Sequence, residues 1–463
     1  MAIRALRWLL KPLLTGCFVV FLAGNVWAGG YLKSAHGNSD YGVDRISMHK
    51  HGYATGNCAH CHSMHASIGG SSASVTSSDA FAFALFAENF NKDATTHPYV
   101  QGDDFCFYCH ISSNSLQKNG ITNEDFSATF GGAPETVTSI FDQFNELSYH
   151  NLYDIYNFAS NRFPSFFTSY SNPCIACHNP HLARRDRAHV TDPLYSAVSL
   201  PTEHNKLWKK TIKSPNSYYQ APFYYNSKGT YEPGGVSVSD GSKTVDWNTF
   251  CTRCHNNTNV IYSTTLGRDL KKIDWTTPIT VNPTTGAETG GDKHGAANAT
   301  GNVTATLLPP YSTYLLEHGY TSGITLSCLD CHEPHGSPNI MLIRRVINGN
   351  DTWYNSDSII NITDYTSDQW RAVCDRCHIS NQKEIHHGIF GMRRGGDEAV
   401  ADHYSPPYPR PRGCGRCHMH GSSTGGMRKG MSPIPCTYCH FHGGDDSWLL
   451  SVNKTYYTGR RCF

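Results

Sequence analysis

The chain has 463 residues, and its 38 basic residues nearly balance its 37 acidic residues. This balance excludes the strongly basic surface that nucleic-acid-binding proteins carry. Hydrophobic residues make up only 39% of the chain, so side chains alone supply too little apolar surface for an ordinary core at this length.

The N-terminal residues predict export. Basic side chains occur within residues 1–11, an apolar run follows over residues 12–24, and the small residue Ala28 ends the segment. This pattern is typical of a secretory signal peptide over residues 1–28, and the run is shorter than the roughly 20 residues of a membrane-spanning helix. An alternative is lipidation at Cys17, because the Leu-Thr-Gly-Cys sequence there resembles a lipoprotein signal. The rest of the sequence contains no apolar segment long enough to span a membrane.

Apolar spacing predicts few regular elements in the mature chain. Residues 79–90, and more clearly residues 139–158, repeat apolar side chains at helical spacing. Residues 280–306 are rich in Gly, Thr and Asn and are predicted to form a loop or linker. The expected fold is therefore loop-rich, with mainly short α-helices and little β-structure. The distribution of the cysteine motifs described next divides the mature chain into residues 29–187, 188–306 and 307–463.

The motif Cys-x-x-Cys-His occurs eight times, and we number the copies motif 1 to motif 8 in chain order. The motifs use 16 of the 18 cysteines, namely Cys58, Cys61, Cys106, Cys109, Cys174, Cys177, Cys251, Cys254, Cys328, Cys331, Cys374, Cys377, Cys414, Cys417, Cys436 and Cys439. The histidines that end them are His62, His110, His178, His255, His332, His378, His418 and His440. Each motif is the attachment signal of a c-type haem, in which two thiols bond the porphyrin and the histidine binds the iron from one face. The sequence therefore predicts eight covalent haem c groups, numbered here by motif.

Metal sites and disulfides also use paired cysteines, but they explain these motifs less well. Zinc and iron–sulfur sites are also built from Cys-x-x-Cys pairs. Neither requires a histidine directly after the second cysteine, yet all eight motifs have one. A disulfide framework does not require that histidine either.

A second histidine follows motifs 1, 3 and 5, three positions after the first one. These plus-three histidines are His65, His181 and His335, whereas motifs 7 and 8 have His420 and His442 at plus two. A residue about one turn after the iron-binding histidine lies on the same side of the porphyrin. We therefore expect each plus-three histidine to bind the iron of a different haem.

The number of histidines favours two histidine ligands on every iron. The chain has 26 histidines, and 18 remain after the eight motif histidines are assigned. The candidates for the second, distal ligand are His36, His65, His150, His181, His204, His294, His318, His335 and His387. Two imidazoles per iron keep reduction potentials lower than a His/Met pair.

The segments around these histidines resemble a known family. The sequences His178-Asn179-Pro180-His181, His332-Glu333-Pro334-His335-Gly336 and Ser34-Ala35-His36-Gly37 are similar to segments of the multihaem c-type cytochromes of metal-reducing bacteria. The resemblance covers essentially the mature chain. It implies a continuous stack of bis-histidine haems that replaces a side-chain core. Members of that family form outer-surface filaments or work in porin–cytochrome conduits, which implies other redox proteins, and an outer-membrane porin or like subunits, as partners.

These features predict an exported electron carrier that acts toward extracellular acceptors, from the periplasm, the outer membrane or the cell surface. The alternative function is a multihaem reductase of a small oxyanion such as nitrite or tetrathionate. A reductase requires one iron with an open face for its substrate. All eight motifs end in histidine, and spare histidines are plentiful. We therefore expect neither enzymatic activity nor catalytic residues.

Overall fold

The computed structural model describes the chain in several stretches. The longer ones are residues 30–63, 84–121, 139–184, 197–208, 247–275 and 327–345. Short pieces are described at residues 67–68, 71–72, 280–281, 288–289, 292, 294, 347, 360–363 and 373. The predicted signal peptide, motifs 6 to 8, and the candidate ligands His65, His318 and His387 lie outside the described residues.

The described residues are loop-rich, as the sequence predicts. Their α-helices are α1 Ile46–Lys50, α2 Ile140–Phe144, α3 Leu152–Arg162, α4 Trp247–Cys251 and α5 Cys328–Cys331. Single 3-10 turns occupy Cys58–His60, Gln101–Asp103, Phe105–Tyr108, Pro173–Ala176, Pro201–Glu203 and Ile340–Leu342. Within these stretches, no helix has both the length and the apolar character that crossing a bilayer requires.

The strands are two residues long and form antiparallel pairs. The pairs are β1 Ser67–Ile68 with β2 Ser71–Ser72, β3 Ser148–Tyr149 with β8 Gly336–Ser337, β4 Tyr262–Ser263 with β5 Arg268–Asp269, and β6 Thr280–Val281 with β7 Glu288–Thr289. Three of these pairs join strands that are close in sequence, whereas β3 and β8 join distant parts of the chain. The β6–β7 pair lies at the start of residues 280–306, so the prediction of a loop there is wrong for these four residues.

The helix predicted over residues 139–158 is in fact two helices. Ser139 caps α2 by accepting the N–H of Asp142, and α2 ends at Phe144. The Asn151 side chain accepts two N–H groups of the next turn and starts α3, which continues to Arg162. Between the helices, β3 pairs with β8. The continuous helix is wrong because the backbone at β3 uses its hydrogen bonds in this ladder.

The helix predicted over residues 79–90 is also wrong where the structure describes it, at residues 84–90. Leu85 forms a β-bridge with His62, and Phe90 forms one with Asp104. The Phe86 N–H donates to the Cys61 carbonyl at 3.1 Å. These residues do not form an α-helix, because their backbone hydrogen bonds go to motif 1 and to the residues just before motif 2 instead of their own next turn.

Apolar side chains of the described residues form four small clusters beside the motifs. One is Phe90, Tyr99, Phe107, Phe144, Tyr149 and Leu152, and another is Ile343, Ile347, Ile360, Ile362 and Val373. The other two are Val198 with Trp247 and Leu329, and Ala159 with Phe167 and Ala176. Phe107, Ala176 and Leu329 lie inside motifs, and Cys331 packs against the isoleucine cluster. The packing therefore converges on the cysteine motifs.

Strand β8 places Gly336 where only a glycine fits. A Cβ at Gly336 would overlap the carbonyl of Gln143 and crowd the carbonyl of Ser148. Gly336→Ala is therefore expected to lower the free energy of unfolding by about 1–3 kcal/mol, because backbone atoms must move. Chemical denaturation measures this loss. Gly102→Ala is the control, since the nearest atom to its added methyl group is 3.8 Å away. Equal stability of the two variants would contradict the overlap.

Candidate haem-attachment and iron-ligand sites

The five described motifs share one hydrogen-bonded turn, although motifs 1 to 3 contain 3-10 turns, motif 4 begins at the end of α4 and motif 5 contains α5. In every one, the N–H of the final histidine donates to the carbonyl of the first cysteine. The N···O distance is 2.9 Å in motifs 1, 2 and 3 and 3.0 Å in motifs 4 and 5. The turn places the two cysteines and the histidine of a motif within one turn of each other. That arrangement suits attachment of one porphyrin by two thiols with an adjacent iron ligand.

A polar side chain starts most of these turns. In four motifs it accepts a backbone N–H at the start of the turn, and these caps are Asn57, Asp104, Asn172 and Ser327. The O···N distances run from 2.8 to 3.3 Å. Sequence reasoning missed these residues. The signal was an Asn, Asp or Ser one or two positions before the first cysteine, as at helix N-termini generally.

The described cysteines are neither disulfides nor ligands of a closed zinc site. All ten have free thiols. Among the described residues, one group of Cys, His and acidic side chains brings three ligand atoms within 4.8 Å of one another, and it consists of Asp104, Cys106 and Cys174. A closed structural zinc site uses four ligands, which are typically cysteine and histidine. The arrangement leaves the thiols available for covalent attachment.

Cysteines of consecutive motifs are neighbours in space. Burial raises the pKa of the Cys61 thiol to about 12, and the nearby thiols of Cys109 and Cys106 add to this shift. Burial likewise raises the pKa of Cys177 to about 12, with Cys254 and Cys251 contributing. Motif 1 therefore adjoins motif 2, and motif 3 adjoins motif 4.

Polar side-chain contacts join the remaining pairs of consecutive motifs. Asp104 accepts a hydrogen bond from Asn172 at 3.0 Å, and Cys174 lies 3.7 Å from the same carboxylate, which joins motifs 2 and 3. The side chain of Asn248 accepts the N–H of Cys328 at 2.7 Å, which joins motifs 4 and 5. Motifs 1 to 5 thus follow one another in space in the order of the chain.

Four motif histidines each face a histidine from the candidate pool. The ring centroids are separated by 6.1 Å for His62 and His181, 6.2 Å for His110 and His36, 6.2 Å for His178 and His335, and 5.9 Å for His255 and His150. Two imidazole nitrogens that bond one metal ion from opposite sides, each at about 2 Å, place their ring centres about 6 Å apart. Each pair is therefore spaced to hold one iron.

Hydrogen bonds orient several of these rings. The Nδ1 atoms of His36 and His178 lie 2.9 Å from the carbonyls of Pro180 and Ala197, and Nδ1 of His150 bonds the carbonyl of Pro334. A ring that donates from Nδ1 keeps the lone pair on Nε2. This is the usual second hydrogen bond of a metal-binding histidine, and it directs Nε2 to the metal.

Burial favours the neutral form of four of the described histidines, His36, His150, His178 and His332, as metal binding requires. It lowers the pKa of His178 to about 4, and the neighbouring His335 adds to the shift. It also lowers the pKa of His332 to about 4. Burial is the main cause of the lowered pKa of His36 and of His150.

The short His-x-Pro-His segments of motifs 3 and 5 each contact two of the facing histidine pairs. His181 faces the histidine of motif 1, while the carbonyl of Pro180 holds the ring that faces motif 2. His335 faces the histidine of motif 3, while the carbonyl of Pro334 holds the ring that faces motif 4. Sequence reasoning did not assign a role to these prolines. Their position directly before the plus-three histidine was the available signal.

Three other histidines have different surroundings. The ring of His204 lies against Phe166 with centroids 4.1 Å apart, and burial lowers its pKa to about 4. The carbonyl of His294 accepts the indole N–H of Trp275 at 3.1 Å. His60 lies inside motif 1 and is fully buried, and both of its ring nitrogens bond backbone atoms. These backbone contacts make His60 a structural residue.

Comparison of the chain with protein-family models, with characterised proteins and with solved structures finds no match.

Proposed function

We propose that this protein transfers electrons through eight covalently attached haem c groups, each with two histidine ligands. The observation that carries the proposal is the set of four histidine pairs with ring centroids 5.9 to 6.2 Å apart. Each pair joins a Cys-x-x-Cys-His motif to a histidine that is distant in sequence. A spacing suited to one metal ion, repeated four times at motif histidines, is an arrangement that ordinary core packing does not require.

The ligand pairs follow from the facing rings. We assign His62 and His181 to haem 1, His110 and His36 to haem 2, His178 and His335 to haem 3, and His255 and His150 to haem 4. His332 is the motif ligand of haem 5, and its Nδ1 is held by the carbonyl of Met341 at 2.9 Å. At haems 1 to 4, a histidine on each face would leave no vacant position for a substrate. This supports an electron carrier over an oxyanion reductase.

The spatial order of the motifs supports a continuous path. When bound, the haems would pass single electrons from one to the next without making or breaking bonds. The chain's contribution is to fix the spacing between attachment points. It does so through the side-chain contacts between Asp104 and Asn172 and between Asn248 and Cys328. The proposed location and partners rest on the sequence alone. We propose that the protein is exported past the inner membrane, and that its partners are other redox proteins and a porin or like subunits at the outer membrane.

The experiment that tests this function is spectroscopic. The intact mass of the mature protein should exceed that of its processed polypeptide by eight haems, as the motif count predicts. The oxidised protein should be entirely low-spin by electron paramagnetic resonance, and the reduced protein should bind carbon monoxide poorly, because every iron has two imidazoles. Soluble ferric chelates should still oxidise it rapidly. One high-spin haem per chain, with turnover of nitrite or a similar oxyanion, would support the reductase instead.

A further inference from the structure

One facing histidine, His335, has a carboxylate as the partner of its Nδ1 atom. Nδ1 of His335 lies 3.0 Å from Oε1 of Glu333, a carboxylate whose side chain is 1% exposed. The Nδ1 bonds described above for the other facing histidines go to neutral backbone carbonyls. A hydrogen bond to a charged acceptor is about twice as strong as one to a neutral acceptor. The ligand that we assign to haem 3 therefore has an anion behind it.

A buried arginine keeps the carboxylate in place. The fully buried guanidinium of Arg344 lies 3.1 Å from Oε2 of Glu333, an ion pair without hydrogen-bond alignment. Nε of the same arginine donates to the carbonyls of Leu329 and His332, at 2.8 and 3.1 Å. Arg344 thus binds the oxygen that faces away from the imidazole, and it anchors motif 5 as well. A carboxylate this deeply buried needs such a partner.

Motif 3 supplies an internal comparison. Asn179 occupies the position of Glu333, and its Oδ1 accepts the N–H of His181 at 2.9 Å. Oε1 of Glu333 accepts the N–H of His335 in the same way, at 3.2 Å. The local turn therefore needs an acceptor at this position but not a charge. What Glu333 adds is a negative charge next to the ring.

We propose that Glu333 is a positioning residue that lowers the reduction potential of haem 3 relative to haem 1. A carboxylate that accepts the Nδ1–H of an iron-bound imidazole makes the imidazole a more basic ligand. A more basic ligand favours the ferric over the ferrous ion, so the one-electron reduction of that iron becomes harder. The inference rests on the proposed function, since it needs an iron between His178 and His335.

The test uses the complete haem-loaded protein and compares two variants with the unchanged chain. Glu333→Gln keeps an oxygen acceptor and removes the charge. It also leaves a buried arginine unpaired, so the variant Glu333→Gln/Arg344→Met is needed, which removes both charges at similar side-chain volume. Potentiometric titration should show one midpoint potential raised in both variants. The expected change is about tenfold in the reduction equilibrium of that haem, which is about 59 mV for one electron.

The control is Asp269→Asn, which removes the charge of an exposed carboxylate in β5 and should leave all the midpoint potentials in place. Unchanged potentials in the double variant, in a protein that retains all its haems in the low-spin state, would overturn the role of Glu333 and leave the proposed function intact. Failure of the unchanged protein to carry low-spin haem would instead overturn the proposed function.

Discussion

His181→Ala is expected to convert one iron per chain from low-spin to high-spin while all eight haems stay covalently attached. The ring of His181 faces His62 of motif 1 with centroids 6.1 Å apart, and an alanine side chain cannot reach that distance. Attachment of haem 1 depends on Cys58 and Cys61, which the substitution leaves unchanged. Electron paramagnetic resonance measures the spin state, and intact mass measures the number of haems.

The matched control for this variant is His49→Ala. His49 is 45% exposed, pairs with Asp44 at 3.1 Å, and belongs to none of the four facing histidine pairs. Its removal should leave every iron low-spin. The assignment would be wrong if His181→Ala also left every iron low-spin, or if it abolished attachment of a haem.

Without haem attachment, the chain is expected not to fold. The four apolar clusters of the described residues are small, and each lies beside a cysteine motif. Each cluster is too small to offset the conformational entropy that the chain loses on folding. Covalent haems would supply the missing apolar surface and join segments that are far apart in sequence, such as the motif 4 turn and His150.

The test uses a chain produced without the predicted signal peptide. This chain is not exported, so it never reaches the compartment where haem is attached. Circular dichroism and the dispersion of amide proton resonances should both indicate an unfolded chain. The exported, haem-loaded protein is the control, and it should unfold cooperatively. A cooperative thermal transition in the haem-free chain would contradict the prediction, because it would require a side-chain core that is stable by itself.

The sequence by itself determined the local chemistry. In all five described motifs, the N–H of the final histidine donates to the carbonyl of the first cysteine, so the attachment residues lie within one turn in every case. The plus-three spacing predicted partners in other motifs, and the rings of His181 and His335 face His62 and His178. The loop-rich character also followed from composition, since a chain with 39% hydrophobic residues lacks long apolar faces.

The tertiary structure alone decided which histidines meet and where regular structure ends. His36 faces motif 2 and His150 faces motif 4 because of the path of the chain, which periodicity does not encode. The helix expected over residues 139–158 breaks because β3 pairs with β8, a contact between segments far apart in sequence. The contact between the Glu333 carboxylate and His335 could not be predicted from the sequence either. A buried carboxylate needs a charged partner, and only the fold places Arg344 next to Glu333.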